Sequence, residues 1–426
     1  MAFLSTQQPS SSLAEEQIQQ RRTAQMSPIT AQPDFTTNSA LPNTTVVAPQ
    51  TTPALQTRIR KRQKLAPTDV ENQSFSPSLD FGLVTDGAPS CSPLDAVEVD
   101  FTVVTQSSTN RLWMMEHHCA RWRRNFSIAV YIPPGDATTM SSLYEKLSSM
   151  GCDSDRVEIS IVTGYSEEEY PVNVLRNRAL EMVHTSHVVY VDIDFWESSD
   201  LYATLQHHVQ LLAQDPKQAL VMPAFQLSRQ CKGWRECPEK NIPKMPMDKE
   251  SLLDLMVEQH QANAFDPTNQ GGHGSTLYRE WLNQEAEEIV PISCVKSNRY
   301  EPYLVFRYCH DLPPFQEAFT GYGKNKMTWV MQLRRAGYKL GQLGQSFVVH
   351  YPHLDSKARM HWNGGSGGQQ LRGKPKQSNL LEFKRGQVDQ TFLRFREWLE
   401  IAVPDETVVG KCKDALDDDQ KLWVAK

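Results

Sequence analysis

The sequence contains no apolar run long enough to cross a membrane. The longest uninterrupted run covers residues 128–132, far short of the ~20 residues that a transmembrane helix needs. The opening residues, MAFLSTQQPSSSL, lack the basic flank and the apolar core of a signal peptide. Neither charge sign dominates, because 44 basic residues stand against 50 acidic ones. This balance gives no reason to expect nucleic acid or an anionic membrane as the main partner.

The cysteines lack the paired CxxC spacing of a zinc knuckle, which argues against that kind of site. The eight cysteines are Cys91, Cys119, Cys152, Cys231, Cys237, Cys294, Cys309 and Cys412. Cys231 and Cys237 lie close together in a loop-like stretch and fit a disulfide or two free thiols about equally. The redox compartment therefore stays open.

The first 95 residues are rich in Ser, Thr, Pro and Gln and show no sustained hydrophobic period. Such a segment cannot bury enough apolar surface to offset its chain entropy, which predicts a disordered tail over 1–95. A basic cluster within it is interpreted as a solvated charge run rather than a nuclear signal or a nucleic-acid patch. Its members are Arg58, Arg60, Lys61, Arg62 and Lys64. We expect a globular domain over 96–400 and a C-terminal tail over 401–426.

From Asp100 onward the hydrophobic period switches repeatedly between two and 3.6 residues. FTVVTQ, SIAVYIP, VEISIVTG and HVVYVDID read as strands, whereas SSLYEKLSSM and VNVLRNRALEMV read as helices. This alternation predicts an α/β fold with a mostly parallel sheet and helices on both faces. Ligands of such sheets bind at the carboxyl ends of the strands.

The strongest motif is VVYVDIDFW, in which an apolar strand leads into Asp192 and Asp194. Side chains two residues apart on a strand point to the same side, so both carboxylates could reach one cation. Mn²⁺ or Mg²⁺ suits carboxylate ligands and leaves coordination positions for phosphate oxygens. The alternative is that these two acidic residues are simply solvated at a strand end. The apolar strand before them and the aromatic residues Phe195 and Trp196 after them favour the metal site over this alternative.

A second apolar strand ends in SFVVHYPH, where His350 closes the strand and His353 follows three residues later. A neutral imidazole is a suitable third ligand beside two carboxylates. A histidine satisfied within the core is the commoner arrangement for an isolated case.

Two further motifs open helices. In YPVNVLRNRAL, Asn173, Arg176 and Asn177 offer donors for phosphate or a nucleobase. In FQEAFTGYGKNKMTW, Gly321 and Gly323 let the backbone approach a sugar closely. A capped, solvated helix and a plain turn explain the two motifs equally well when each is taken alone.

Taken in order, these motifs resemble glycosyltransferase family 49 from residue 100 to about residue 361. The stretches that carry the resemblance are YPVNVLRNRAL, YVDIDFW, LVMPAFQ, GHGSTLYREW, YEPYLVF, FTGYGKNK and FVVHYPH. The family implies a Rossmann-like GT-A fold and a metal-dependent, inverting transfer from a UDP-sugar to a glycan acceptor. The sugar would be glucuronate, xylose or a related one.

The resemblance also implies roles for individual residues. Asp192, Asp194 and His350 would hold Mn²⁺, with Mg²⁺ as the other candidate. The donor side would be formed by Asn173, Arg176, Asn177, Asp192, Gly321, Gly323 and Asn325. The implied location is the Golgi, although neither an anchor nor a signal peptide is visible in the chain and the cytoplasm and the nucleus stay open.

Two positions depart from the family pattern. Gln316 stands where relatives carry Asp, and an amide cannot act as the base that an inverting transfer needs. Glu317 is therefore predicted to act as the base and Glu301 to contact the acceptor. Lys324, which replaces a common aromatic residue, is expected to favour an anionic donor such as UDP-glucuronate.

Two other functions stay open at this point. A nucleotidyltransferase that makes nucleotide sugars would combine an α/β fold with acidic metal ligands, but it usually has a Gly-rich loop after its first strand. Here TQSSTNR follows that strand. A catalytically weakened sugar-binding protein would explain Gln316 but not the intact metal ligands.

Overall fold

The computed structural model describes residues 81–166, 169–229, 231, 236–353, 359, 362 and 375–416, with side chains from 382 in the last range. The described residues belong to one compact unit, Pro77–Lys426. Residues 1–80 of the predicted tail, including its basic cluster, lie outside the described residues.

Fourteen strands occur in the described residues. They are β1 (Phe101–Ser108), β2 (Asn125–Tyr131), β3 (Val157–Val162), β4 (His187–Tyr190), β5 (Phe195–Glu197), β6 (Gln218–Met222), β7 (Ala224–Leu227), β8 (Ala262–Ala264), β9 (Ile289–Pro291), β10 (Cys294–Val295), β11 (Tyr303–Arg307), β12 (Lys339–Leu343), β13 (Val348–His350) and β14 (Gly410–Lys411).

Eleven α-helices occur in the same residues. They are α1 (Met115–Arg121), α2 (Met140–Ser149), α3 (Val172–Leu180), α4 (Leu201–Gln206), α5 (Val209–Gln214), α6 (Cys237–Asn241), α7 (Lys249–Val257), α8 (Gln270–His273), α9 (Tyr278–Asn283), α10 (Asn325–Arg335) and α11 (Pro375–Ala402). Short 3₁₀ turns cover Ala96–Glu98, Leu112–Met114, Ser154–Arg156 and Ile242–Lys244.

The main sheet has eight strands in the order β3-β2-β1-β4-β11-β6-β12-β9. Strands β3, β2, β1 and β4 run parallel to one another, whereas β11 runs antiparallel to both β4 and β6. Helix α3 packs against β1, β2 and β3. Because the sheet is covered, β4 is a continuous apolar strand, and Val188, Val189 and Tyr190 are fully buried. The α/β class predicted from the sequence is confirmed.

A second sheet of four strands, in the order β5-β13-β7-β8, lies where two chain segments leave the main sheet. The apolar stretch ALVMPAFQL is divided at Pro223, with β6 in the main sheet and β7 in the small one. A proline has no N–H for the ladder, which is why the strand is interrupted there. The segment between β4 and β5 makes the same passage.

Residues 81–95, which composition assigned to the disordered tail, are bonded to the domain. Thr85 N donates to the His310 carbonyl at 2.9 Å, and Leu94 N donates to the Ala213 carbonyl at 3.1 Å. The predicted boundary at residue 95 therefore lies too late for these described residues. The attachment also includes the disulfide Cys91–Cys309 and the packing of Phe81 against Phe319. Such isolated contacts leave no hydrophobic period in the sequence.

The described part of the predicted C-terminal tail is also attached. Val403 and Val409 are buried, and β14 pairs in parallel with β10. The domain therefore extends past residue 400, at least to the end of the described residues.

All eight cysteines form disulfides, Cys91–Cys309, Cys119–Cys152, Cys231–Cys237 and Cys294–Cys412. The question that the sequence left open for Cys231 and Cys237 is thus answered in favour of a bridge. Among the described helices, none combines the length and the apolar character needed to span a bilayer.

Candidate active site

Asp192 and Asp194 lie in the turn that carries the chain from the main sheet to the small sheet. Strand β4 ends at Tyr190 and β5 begins at Phe195, whose N–H donates to the Asp192 carbonyl at 2.8 Å. The alternation of side chains along a strand does not hold in a turn. The two carboxylates therefore contact different groups, although the sequence predicted that they face one cation together.

A buried histidine on α1, His118, fixes the turn through hydrogen bonds. His118 Nε2 lies 3.0 Å from the Ile193 carbonyl oxygen, and its Nδ1 lies 2.7 Å from Glu197 Oε2. The side chains of His118 and Glu197 are fully buried. A buried polar network of this kind specifies one backbone position, because leaving any member without its partner is costly.

The carboxylate of Asp192 accepts four hydrogen bonds. Arg176 Nη2 and the Tyr190 hydroxyl donate to Oδ1 at 3.0 and 2.8 Å. The Tyr303 hydroxyl and Lys326 Nζ donate to Oδ2 at 2.9 and 3.4 Å. Burial raises the pKa of Asp192, but the charges of Lys326 and Arg176 outweigh it and hold that pKa well below its usual range. Asp192 is thus an anion that fixes two buried cations.

The carboxylate of Asp194 lies beside two imidazoles. Strand β13 pairs with β5 so that His350 is opposite Phe195, and Tyr351 N donates to the Asp194 carbonyl at 2.8 Å. Asp194 Oδ2 is 2.7 Å from His353 Nε2 and 3.9 Å from His350 Nε2. The ligand atoms of Asp194, His350 and His353 all lie within 4.8 Å of one another. This triad can hold a metal ion.

The protonation states in the triad favour a cation. Burial raises the pKa of Asp194, but the hydrogen bond from His353 and the nearby charges lower it well below its usual range. Burial lowers the pKa of His350 to about 4, although Asp194 opposes this. At neutral pH the site therefore presents a carboxylate and a neutral imidazole, which is the donor set that Mn²⁺ accepts.

Arg111 sets the orientation of the third member. Its Nη1 lies 3.2 Å from Asp194 Oδ2, and its Nη2 lies 3.0 Å from His353 Nδ1. Since a guanidinium only donates, Nδ1 accepts and the ring proton sits on Nε2, from which it is donated to Asp194. His353 could ligate a metal through Nε2 only if its ring proton moved to Nδ1, which would give up the hydrogen bond from Arg111.

Four of the predicted donor-binding residues form one hydrogen-bonded group next to Asp192. They are Asn173, Arg176, Gly321 and Asn325. Arg176 Nη1 donates to Asn173 Oδ1 at 2.9 Å and to Asn325 Oδ1 at 3.0 Å. Asn325 Nδ2 donates to the Gly321 carbonyl at 3.2 Å. Gly321 and Gly323 have φ values of 66° and 103°, a region that glycine enters without strain. The structure therefore brings together the beginnings of α3 and α10.

Asn177 and Glu317 form a separate contact. Asn177 Nδ2 donates to the Phe315 carbonyl at 2.8 Å and to Glu317 Oε1 at 3.0 Å, and Phe315 N donates back to Asn177 Oδ1 at 3.0 Å. Glu317 is exposed. Its negative charge raises the pKa of Tyr165 and the pKa of Arg178.

Glu301 lies close enough to Asp192, Arg176 and Lys326 to be affected by their charges. It precedes β11, and its N–H donates to the Gly272 carbonyl at 2.9 Å. Burial raises its pKa, while the charges of Lys326 and Arg176 oppose the shift and that of Asp192 adds to it. A carboxylate with a raised pKa in a charged site is a candidate proton acceptor.

The two residues that depart from the family pattern are both buried. The Gln316 amide donates to the Gly82 carbonyl and accepts from the Gly82 N–H, both at 2.9 Å. Lys324 Nζ lies 3.3 Å from Asp389 Oδ1 on α11. The ammonium is thus paired within the protein.

Two site residues, His353 and Lys326, entered the sequence predictions only as members of recognised motifs, and a third, Arg111, was not identified. His353 and Lys326 lie within motifs that were recognised, so their types and positions could have suggested a role. Arg111 had no such signal, because it lies in a stretch with no motif and reaches Asp194 only through the fold.

Comparisons with known proteins agree with this arrangement. Residues 157–363 match the model of the glycosyltransferase 49 family, described as "Glycosyl-transferase for dystroglycan". The chain is 32% identical over 260 residues to the xylosyl- and glucuronyltransferase LARGE2s of Danio rerio, covering 60% of this chain and 32% of that protein. It is 30% identical over 264 residues to LARGE1 of Homo sapiens, covering 61% and 32%. The chain thus spans about a third of the length of the curated relatives it matches.

Solved structures are similar at a greater distance. A structure of S. aureus TarS 1–349 aligns with a TM-score of 0.35 and 11% identity, covering 72% of this chain and 83% of that one. A structure of GalNAc-T7 with UDP, GalNAc and Mn²⁺ aligns with a TM-score of 0.34 and 11% identity, covering 73% and 59%.

Proposed function

We propose that this chain, whose residues 157–363 match the model of glycosyltransferase family 49, is a metal-dependent, inverting glycosyltransferase that uses a UDP-sugar and a glycan acceptor. The observation that carries the proposal is the triad Asp194, His350 and His353 beside two buried cations, Arg176 and Lys326. A metal site next to positive charge is suited to a sugar diphosphate.

Asp194 and His350 are the proposed metal ligands, with His353 joining them in the tautomer that carries its ring proton on Nδ1. An oxygen and two imidazole nitrogens favour Mn²⁺ over Mg²⁺, which prefers oxygen ligands alone. When bound, the ion would supply Lewis-acid stabilisation of the charge on the departing UDP. Asp192, predicted as a ligand from its position, instead acts by holding Arg176 and Lys326.

Those two cations are proposed to bind the diphosphate. The side chains of Arg176 and Lys326 are only 4% and 6% exposed, so water screens their charges weakly. They are already fixed by Asp192 before the donor arrives. Little reorganisation is then needed when negative charge develops on UDP.

Glu301 is the carboxylate that we propose as the base. An oxygen of its carboxylate takes the proton of an acceptor hydroxyl while that hydroxyl oxygen bonds to the sugar carbon and the bond from that carbon to UDP breaks. The raised pKa of Glu301 increases its affinity for the proton. Glu317 lies with Asn177 and is assigned no part in the transfer.

Four disulfides support a secretory location. Bridges persist in oxidising compartments and are rare where thiols are kept reduced. We therefore place the protein in the secretory pathway, with the Golgi as the compartment that the family resemblance implies.

The test is UDP release from a panel of UDP-sugars, including UDP-glucuronate and UDP-xylose, with Mn²⁺ and a glycan acceptor. Asp194→Asn serves as the control without the metal ligand. We expect UDP to appear with the native chain and not with the variant. Pyrophosphate release in a parallel reaction with UTP and a sugar 1-phosphate would support the nucleotidyltransferase alternative. Donor binding without turnover would identify a sugar-binding protein.

A further inference from the structure

Both departures from the family pattern contact chain segments that lie outside the family match. Gln316 holds Gly82, which precedes residue 157, and Lys324 holds Asp389, which follows residue 363. Both residues therefore contact segments outside the range that the family model matches.

The pair of Lys324 and Asp389 is almost completely buried. Their side chains are 4% and 3% exposed, and Lys324 Nζ also lies 4.2 Å from the centre of the Phe392 ring. A buried charge without its partner is strongly unfavourable, so neither residue is stable in this environment alone. The backbone of Lys324 is fixed as well, because it has a φ of 56° and immediately precedes α10.

The two residues that follow Lys324 belong to the site proposed for the UDP-sugar donor. Asn325 accepts the hydrogen bond from Arg176 at 3.0 Å, and Lys326 lies 3.4 Å from Asp192. A shift of the backbone at Lys324 would move both side chains. The ion pair is thus one residue away from the groups proposed to bind the diphosphate.

Helix α11 supports this loop through apolar contacts too. A second hydrophobic cluster, separate from the main core, joins the loop and the first turn of α10 to α11. Its buried members are Phe319, Met327, Phe392, Phe395, Leu399 and Val403. Phe319 and Met327, which lie on either side of the loop over 321–326, are thus in one apolar cluster with residues of α11.

We propose that Lys324 and Asp389 are positioning residues, through which helix α11 holds the loop over 321–326 in the geometry that binds a UDP-sugar. The proposal rests on the proposed function for the identity of the ligand. It makes α11, which lies outside the family match, a necessary part of the donor site.

The experiment compares Asp389→Asn with Asp405→Asn in the full chain. Asp405 accepts from Arg335 Nη1 at 3.3 Å at the other end of α10, so its variant removes an ion pair between α10 and the C-terminal segment away from the loop. Two quantities are measured, the hydrogen exchange of the amides over 321–327 and the Kd of UDP in the presence of Mn²⁺.

We expect Asp389→Asn to speed exchange over 321–327 and to raise the Kd of UDP by ~10-fold or more, a loss of about 1.4 kcal/mol of binding. Asp405→Asn should change the Kd by less than about 2-fold. Lys324→Arg, which keeps the charge, should stay close to the native value. Native exchange and native UDP binding in Asp389→Asn would overturn the proposal.

A variant that fails to fold is replaced by Lys324→Met/Asp389→Leu, since exchanging both partners of a buried pair for apolar residues commonly preserves stability. Weak UDP binding by this folded double variant would support positioning by the ion pair, and native binding would overturn it. If the native chain itself binds no UDP, the proposed function fails, while the exchange rates over 321–327 still decide whether the pair holds the loop.

Discussion

Asp192 and Asp194 are separated by one residue, yet their carboxylates have different partners. Asp192 binds two tyrosine hydroxyls and two cations, whereas Asp194 lies with two histidines and Arg111. The first carboxylate faces groups of the main sheet and its helices, and the second faces the small sheet. Their substitution should therefore have separable effects.

Asp194→Asn should weaken Mn²⁺ binding by at least ~100-fold, because even an outer partner of a metal ligand is commonly worth ~10–100-fold. Asp192→Asn should keep Mn²⁺ binding within several-fold of the native value and lower UDP affinity and turnover. Mn²⁺ titration by electron paramagnetic resonance, followed by UDP titration, measures the two effects. Equal loss of Mn²⁺ in both variants would make Asp192 a direct ligand.

Glu301→Gln should lower turnover by ~100-fold or more with donor affinity nearly unchanged, the usual scale for a lost general base. Glu317→Gln is the matched control and should reduce turnover only mildly, because Glu317 contacts Asn177 away from the cations. Steady-state UDP release measures kcat for the turnover and KM for the donor. A larger turnover loss in Glu317→Gln would return the base assignment to that residue.

Gln316→Asp should destabilise the protein rather than raise its activity. The Gln316 amide nitrogen donates to the Gly82 carbonyl, the Pro314 carbonyl and Gln332 Oε1. A carboxylate there would face three acceptors at a position only 2% exposed, which costs about 3–5 kcal/mol. Chemical denaturation measures the loss. A stable and more active variant would instead indicate a weakened member of the family.

Removal of residues 1–76 should leave the melting temperature and the activity unchanged, because the compact unit begins at Pro77. Removal of 1–95 should lower the stability, since it deletes Cys91 and the contacts of Gly82 with Gln316. Loss of a native disulfide alone typically costs ~2–5 kcal/mol. Differential scanning fluorimetry of the two truncations separates these cases.

Acid should destabilise the fold partly through His187 on β4. Burial, followed by the charge of Arg307, lowers the pKa of His187 to about 3 from its ordinary 6.5. Between about pH 3 and pH 6.5, His187 therefore binds a proton in the unfolded chain and stays neutral in the folded chain. The free energy of unfolding should fall by roughly 1.4 kcal/mol for each pH unit below 6.5 on account of this residue.

His187→Gln should remove that part of the slope in denaturation curves collected between pH 6.5 and pH 4. His184→Gln controls for loss of an imidazole as such, since its side chain is 74% exposed. An unchanged slope in His187→Gln would show that other groups account for the pH dependence.

The sequence predicted the α/β class because strand and helix periods survive wherever an element has a covered face. It also predicted the neighbourhood of Asp194 and His350, since both follow apolar strands. It did not separate Asp192 from Asp194, because the turn between the sheets depends on the pairing of β5 with β13. The sequence also could not predict that Gln316 contacts Gly82 or that Lys324 contacts Asp389. Hydrogen bonds and ion pairs between residues more than 60 positions apart leave no period in the sequence.

Two of the disulfides enclose overlapping stretches of the chain. Cys91–Cys309 spans 218 residues and Cys294–Cys412 spans 118, and each stretch contains one cysteine of the other pair. A single backbone cleavage anywhere between Cys91 and Cys412 therefore leaves two fragments that remain covalently joined. Such a nicked chain would run as one band on a non-reducing gel and separate only when a reductant is added.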